Sequence, residues 1–331
     1  MKRILTLLSL AVLATLTSCK GTKALLPNVS GKAGEVLVVL DKSNWEGALG
    51  EDVRSVMAAD CPMLPQPEPL YSLINVLPSG FTDLFKVHRN ILLFQIDPQN
   101  TEEGVSVRKD VWSEPQLIVA VSAWTAETAD SLFKANSEMI VSAFEQIERN
   151  RVIQNTFQFE KPELYKQVCE VFGGSPHFPT GYFLKKKTDD FVWISEERQY
   201  TQQAVIIYKY PALQTDNFTL KNIIEKRNEI LKANIPGMFD NTYMTTGTFY
   251  TPITKYIKFQ DREFAETRGL WEVYNDYMGG PFVSHSFYSP DGKEIIVAEA
   301  FVYAPRFEKR QYMRQTESLL WSWEWAGASS K

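Results

Sequence analysis

Few side chains in this 331-residue sequence could do acid–base or nucleophilic chemistry, because it holds only three histidines and three cysteines. His88 precedes Arg89 at the start of an apolar run, where the two could hold an anion or His88 could be a satisfied loop histidine. His177 lies in a Gly- and Pro-rich loop that could contact a ligand. His285 alternates with Phe287 and is predicted to pack across a strand. We therefore assign no catalytic residue, and His88, Arg89 and His177 are the candidates for a hydrolase.

Cys61 and Cys169 could form one disulfide in an oxidising compartment. They could equally be buried and unpaired, since cysteine is among the most buried residue types. A thiol activated by a histidine would be a nucleophile, but we favour a structural role for both.

The sequence predicts no metal site and no cofactor. The histidines fall in separate segments without the spacing of zinc ligands. The glycine-rich, zinc-binding and nucleophile-elbow motifs are all missing. Neighbouring carboxylates such as Glu102 and Glu103 are typical of solvated turns. These residue types and motifs therefore indicate no catalytic reaction.

The clearest chemical signal is Cys19. Lys2 and Arg3 precede the uncharged stretch Ile4–Leu16, which has the length of a signal-peptide core and is too short to span a bilayer. Leu16-Thr17-Ser18-Cys19 resembles a bacterial lipobox, in which the cysteine sulfur receives a diacylglyceryl group. Residues 1–18 are thus a predicted lipoprotein signal peptide. Cys19 is the predicted first residue of the mature chain, and palmitate-type acyl chains on it would anchor the protein to a membrane.

Residues 19–34 are predicted to be a flexible tether, because Gly, Pro, Ser and Lys recur there without a period. Lys20 follows the modified cysteine, which by resemblance to lipoproteins of diderm bacteria implies the outer membrane. No acidic run follows it. The expected location is therefore the outer membrane, facing the periplasm.

Charge and hydropathy limit the partners. The formal net charge is -5 and no basic stripe is present, so we expect no nucleic-acid partner. No other apolar run approaches eighteen residues, so no further membrane span is expected.

Runs of strands and helices predict an α+β fold, with antiparallel sheets that carry helices on one face. In the predicted N-terminal domain (35–157), strands over 35–41, 70–77, 90–97 and 116–123 accompany helices over 47–60 and 125–150. In the C-terminal domain (158–331), a strand followed by a helix recurs over 203–235 and 293–325, with meanders between. The two halves are similar in size.

The C-terminal helix carries an unusual pair of indoles. Trp321 and Trp325 lie one turn apart and point away from the apolar arc that contains Leu319 and Leu320. Such a pair needs a cover. Another part of the chain, a protein partner, a glycan or a membrane surface could supply it, so Trp321 and Trp325 are candidate partner-binding residues.

Three stretches are similar to a family of uncharacterised lipoproteins from Bacteroidota, known as domain of unknown function 4837. They are SGKAGEVLVVLDKSNWEG (30–47), the segments between Pro62 and Asp97, and DVWSEPQLIVAVSA (110–123). The later half is similar in its layout of strands and helices. The resemblance implies an envelope lipoprotein and assigns no catalytic residue.

The sequence therefore favours a lipid-anchored envelope protein that acts by binding, as an accessory subunit. Two alternatives stay open: a hydrolase with an unrecognised site, and a glycan-binding lipoprotein.

Overall fold

The computed structural model describes residues 25–327, and the predicted signal peptide and Cys19 lie outside them. Fifteen strands and eight α-helices occur in this range. The strands are β1 (Glu35–Val39), β2 (Ser72–Val76), β3 (Asn90–Ile96), β4 (Gly104–Lys109), β5 (Leu117–Ala123), β6 (Gly174–Ser175), β7 (Phe183–Lys187), β8 (Phe191–Arg198), β9 (Thr201–Pro211), β10 (Tyr243–Thr246), β11 (Ile253–Phe259), β12 (Arg262–Tyr274), β13 (Gly279–Tyr288), β14 (Glu294–Tyr303) and β15 (Glu324–Trp325). The helices are α1 (Lys42–Glu46), α2 (Ala48–Met57), α3 (Asp83–Lys86), α4 (Ala126–Ala135), α5 (Ser137–Gln158), α6 (Pro162–Phe172), α7 (Leu220–Asn234) and α8 (Arg310–Trp321).

The first sheet has the order β2-β1-β3-β5-β4. Its first four strands are parallel and only β4 is antiparallel, to β5. The expected antiparallel arrangement is therefore wrong for this sheet. Its inner strands are continuous apolar runs buried on both faces, which is typical of parallel strands.

Helices cover one face of the first sheet. Val53 of α2, Phe133 of α4 and Phe144 of α5 pack there around Val38. The helix predicted over 125–150 is two helices, because Asn136 ends α4 and begins α5. Its side-chain Nδ2 donates to the Leu132 carbonyl at 2.8 Å.

The second sheet is antiparallel, with the order β10-β12-β13-β14-β9-β8-β7 and with β11 also on β12. Together with the helices it confirms the α+β class. Helices lie on both of its faces rather than on one. The face with Val205 and Ile207 is covered by α6 and α8, and the face with Ala204 and Ile206 by α7. Both faces of β9 are apolar, which explains why both need a helix.

The predicted tether is partly built into the fold. The backbone N–H of Ser30 donates to Val87 at 2.8 Å, and the N–H of Arg89 donates to Ser30 at 3.0 Å. The N–H of Glu114 donates to the Pro27 carbonyl at 2.9 Å. Residues 27–34 are therefore not a flexible tether, because their backbone is paired with the first half.

The two halves, residues 35–157 and 158–327, meet where α5 packs against α8. A three-residue connection, 159–161, joins α5 to α6 at the predicted boundary. Within 25–327, no helix is long and apolar enough to cross a membrane. The α5–α8 contact places the charged faces of two long helices at the junction.

Candidate functional site

His88 is a buried structural residue. Its Nδ1 lies 3.0 Å from the carbonyl oxygen of Asn90, and its Nε2 lies 3.7 Å from a carboxylate oxygen of Glu35. Burial lowers the pKa of the imidazole. A Cβ at Gly31 would come within 2.3 Å of the ring, so the histidine fits closely against the paired N-terminal segment. We interpret its role as packing that segment.

Arg89 is engaged by a carboxylate of its own half. Its Nη2 donates to Glu148 at 2.9 Å. The other oxygen of Glu148 accepts from Arg151 at 2.9 Å and from Asn90 at 2.7 Å. Burial lowers the pKa of Arg151 to about 10. This network ties α5 to the entry of β3 and lines a cavity of about 360 Å³.

His177 lies in a different environment from His88. Its Nδ1 is 2.6 Å from Glu160, and its Nε2 is 3.3 Å from Glu324. Its ring stacks on Tyr165 at 4.6 Å between ring centres and meets Phe157 at 4.5 Å. None of these contacts is shared with His88, so the structure does not bring the hydrolase candidates together.

The two cysteines of the described residues are both free, so the disulfide alternative is wrong for this structure. Cys169 lies on α6, where it hydrogen-bonds to Tyr165 and where burial raises the pKa of its thiol. Cys61 follows α2 in the other half. Burial and the nearby charge of Glu317 raise its pKa to about 11. Since the thiolate is the nucleophile, Cys61 is held in its unreactive form at neutral pH.

Trp321 is a core residue, and the interpretation as a partner-binding residue is wrong for it. The side chain is 7% exposed and packs against Phe259 and Phe264 with ring centres 4.9 and 5.3 Å away. The guanidinium carbon of Arg149, from the other half, lies 3.5 Å from its ring centre. Trp325 is half-buried beside Phe287, 6.0 Å between ring centres. The cover is the chain itself: α8 ends at Trp321, which packs on the second sheet and Arg149, and Trp325 lies on β15, which pairs with β6.

His285 is fully buried beside a carboxylate. Its Nε2 lies 3.5 Å from Glu266, and its ring stacks on Phe264 at 4.1 Å and meets Trp321 at 5.1 Å. Burial lowers the pKa of His285 to about 4, although Glu266 opposes the shift and Arg262 adds to it. The histidine is therefore neutral in the folded protein at neutral pH.

We predict that this histidine makes the protein acid-sensitive. The unfolded chain has the ordinary histidine pKa, near 6.5. Between about pH 6.5 and 4 it therefore binds a proton that folded His285 does not. Stability should be complete above pH 6.5 and should fall toward pH 4, by up to about 1.4 kcal/mol per pH unit. Urea unfolding of wild type and His285→Phe across this range measures the slope. An equal slope in both proteins would contradict the assignment.

A cavity of about 340 Å³ lies between the two halves, and we call it the interhalf cavity. Residues 60–64 after α2 and one face of α5 form its first wall. Strands β11 to β13 and one face of α8 form the second. The charged residues in its lining are Asp60, Glu145, Lys255, Glu266, Arg268, Arg310, Arg314 and Glu317. Acids and bases are thus equal in number.

Arg268 neutralises two of these acids. Its Nε donates to Glu266 and its Nη1 to Glu317, each at 2.8 Å. The guanidinium charge holds the pKa of Glu266 well below its usual range, against the effect of burial. Those two carboxylates therefore have a partner within the protein.

Arg314 has none. Both of its terminal nitrogens are buried, and neither has a hydrogen-bond partner within residues 25–327. Its guanidinium carbon lies 4.5 Å from the ring centre of Tyr71, whose hydroxyl is likewise buried and unpaired in this range. Burying an unpaired polar group is costly, and more so for a charged one. Arg314 also lines the cavity, so this lining residue carries donors that the described protein leaves unpaired.

Asp60 is exposed to solvent, and Glu145 is the half-buried acid of the same lining that has no ion pair among the described residues. None of its oxygens is within ion-pair or hydrogen-bond reach of another side chain among the described residues. Burial and the charge of Glu317 raise its pKa, while Arg268 and Arg314 act against the rise. Besides the exposed Asp60 and Lys255, the lining thus has one cation, Arg314, and one acid, Glu145, without an ion-pair or hydrogen-bond partner among residues 25–327.

Sequence reasoning missed these residues because it followed the apolar arcs of the helices. A signal was present: Arg310, Arg314 and Glu317 recur on one side of α8 at helical spacing. Glu145 and Arg149 do the same on α5. Charged stripes on two helices that must pack together indicate a shared polar interface.

Two families of unknown function match successive parts of the chain. Residues 161–322 match the domain of unknown function DUF4837. Residues 29–157 match the domain of unknown function DUF8532. The resemblance to the first of these domains is therefore confirmed, but only over the later half of the chain. The stretches between Ser30 and Ala123 that suggested it lie in the second match.

Comparisons with curated proteins and with solved structures do not assign an activity to the chain. No curated protein matches the chain. Among solved structures, the Ran-binding protein Mog1p of Saccharomyces cerevisiae is similar at 9% identity and a TM-score of 0.32, over 47% of this chain and 92% of that one. The human StarD13 (DLC2) lipid transfer and protein localization domain is similar at 10% identity and a TM-score of 0.23, over 48% and 95%. We argue nothing from likenesses this distant.

Proposed function

We propose that this protein is a lipid-anchored, periplasm-facing binding protein of the outer membrane, and that the interhalf cavity holds a small polar ligand. The observation that carries the proposal is Arg314, which lines that cavity and whose two terminal nitrogens are buried without a hydrogen-bond partner among residues 25–327. A ligand with an acceptor group would restore the hydrogen bonds that burial removes. The cavity also has the volume of a typical small-molecule site.

The described side chains support binding over hydrolysis. His88 and His177 occupy separate environments, each with partners of its own. Cys61, which does line the cavity, has a raised pKa. A general base must lie within hydrogen-bond reach of the proton that it removes. The cavity lining contains no histidine that could serve Cys61 in this way.

Glycan binding is the second candidate, and a surface groove of about 290 Å³ favours it. Phe218, Tyr256 and Tyr288 line this groove, and 72% of Tyr256 is exposed. Aromatic faces in an open groove are what sugar stacking would need. The groove presents few charged groups, so it would suit a neutral sugar.

The proposed anchor would hold the cavity close to the membrane. Since residues 27–34 are paired with the fold, seven residues, Lys20–Leu26, separate acylated Cys19 from the paired segment. That length corresponds to a reach of about 25 Å. The protein would therefore work near the membrane surface, as an accessory subunit should.

Native mass spectrometry of the protein purified in mild detergent from envelopes tests both parts of the proposal. We expect an intact mass that includes acyl chains on Cys19, and a retained small molecule that is lost from Arg314→Met. Cys19→Ala is the control, and it should be released from the membrane while keeping the small molecule. An unacylated wild type would overturn the anchor. A molecule kept by Arg314→Met would move the site elsewhere, and a retained sugar would favour the groove.

A further inference from the structure

We infer that the ligand of the interhalf cavity is a zwitterion of the amino-acid or short-peptide class, with its carboxylate on Arg314 and its ammonium on Glu145. This inference rests on the proposed binding function and names its ligand class. Its basis is that the lining of the same cavity contains a guanidinium, Arg314, and a half-buried carboxylate, Glu145, that lack partners among residues 25–327.

The carboxylate end is defined by two arginines on consecutive turns of α8. Arg310 donates to the carbonyl of Pro69, while both terminal nitrogens of Arg314 lack a partner in the described part of the chain. A Cβ at Gly34 would lie 3.0 Å from Arg314 and 3.3 Å from Arg310, so both guanidinium groups come near the same point of the backbone. Two like charges so placed attract an anion. A planar carboxylate can accept two parallel hydrogen bonds from one guanidinium.

The ammonium end is Glu145. Arg268 already occupies Glu266 and Glu317, and Asp60 is exposed to solvent, so Glu145 is left as the half-buried acid of the lining for a ligand cation. Burial raises the pKa of Glu145. A bound ammonium would oppose that rise and stabilise the ionised carboxylate.

The overall charge of the lining favours a zwitterion over a phosphate. Acids and bases in the lining are equal in number, so a ligand with no net charge disturbs the balance least. A phosphate dianion would gain from Arg314 but would be repelled by Glu145. Met63, Leu64, Val141 and Met313 supply apolar surface for an aliphatic side chain.

Titration calorimetry with four related probes tests the inference on the full mature chain. The probes are leucyl-leucine with both ends free, its N-acetyl form, its C-terminal amide, and the form blocked at both ends. We expect the free dipeptide to bind at least tenfold more tightly than either singly blocked form. Arg314→Met should abolish the preference for a free carboxylate, and Glu145→Gln the preference for a free amine. Arg198→Met is the matched control, because this arginine is exposed, pairs with Glu196 and lies outside the cavity lining.

The possible outcomes distinguish a failure of the zwitterion inference from a failure of the proposed binding function. If the N-acetyl form binds as tightly as the free dipeptide and still depends on Arg314, the zwitterion is wrong and the binding cavity stands. If no probe binds, the inference is overturned, and the mass of the molecule retained from envelopes decides the function. Arg314→Lys, which keeps the charge without the bidentate geometry, provides the readout if Arg314→Met does not fold. It should weaken carboxylate binding by an intermediate amount.

Discussion

Replacing Arg227 by methionine is expected to lower the free energy of unfolding by about 3–5 kcal/mol, because it leaves a buried carboxylate without its partner. Arg227 on α7 and Glu299 on β14 are both fully buried. Their two hydrogen bonds are 2.8 and 2.7 Å long. A third bond runs from Arg227 to Thr246 at 2.9 Å, and Phe282 lies beneath the guanidinium at 3.9 Å. Urea unfolding measures the loss.

Two further variants separate the loss of the pair from the loss of packing. Arg227→Met with Glu299→Gln removes the buried charge as well, and it should regain more than half of the lost stability. Lys226→Met, whose exposed partner Glu229 lies on the same helix, should change stability by less than about 1 kcal/mol. Burial already raises the pKa of Glu299 beside Arg227. Without Arg227 the glutamate should protonate more readily, so the cost should shrink at acid pH. A cost independent of both Glu299 and pH would contradict the electrostatic account.

The sequence predicted elements better than partners. Strand β5 and the end of helix α7 were expected within two residues of their observed positions, because their apolar runs and caps are local signals. The buried role of Arg227 was not expected. Its position on the apolar face of α7 conflicts with its charge unless Glu299, 72 positions later, lies opposite it. Only the tertiary fold brings those two positions together.

The parallel arrangement of the first sheet was harder to predict than the positions of its strands. An apolar run such as Leu117–Ala123 specifies a buried strand but not the direction of its neighbour. Connection length was the available signal. The chain from β1 to β2 includes α2, and so leaves room for a crossover. The antiparallel second sheet, by contrast, follows from short turns such as residues 289–293 between β13 and β14.

The candidate site was missed for a related reason. Periodicity identifies which side of a helix is apolar, whereas the interhalf cavity is built from the charged sides of α5 and α8. A charge stripe by itself is usually a solvated surface. Arg314 and Glu145 differ from such a surface only because the halves fold against each other and exclude water between them. The lining residues come from both family matches, 29–157 and 161–322, so neither half contains the site by itself.

Replacing Trp321 by alanine is the second change with a large expected effect, about 3–5 kcal/mol. The indole lies in the core between α8 and the second sheet, and 7% of it is exposed. Its removal deletes edge contacts with Phe259 and Phe264 and the cation–π contact with Arg149. The last of these joins the two halves. We therefore expect a melting temperature lower by about 10 °C, measured by calorimetry.

Trp325→Ala is the matched comparison, because the same substitution is made four residues further along at a half-buried position. It should cost less than half as much, since its nearest aromatic neighbours are Trp323 at 5.5 Å and Phe287 at 6.0 Å between ring centres. Because Trp321→Ala also removes the contact with Arg149, the effects of the two substitutions should not add. Arg149→Met in the Trp321→Ala background should add little, whereas in wild type it should cost at least about 0.5 kcal/mol. A Trp321→Ala protein as stable as wild type would contradict the core role assigned to this indole.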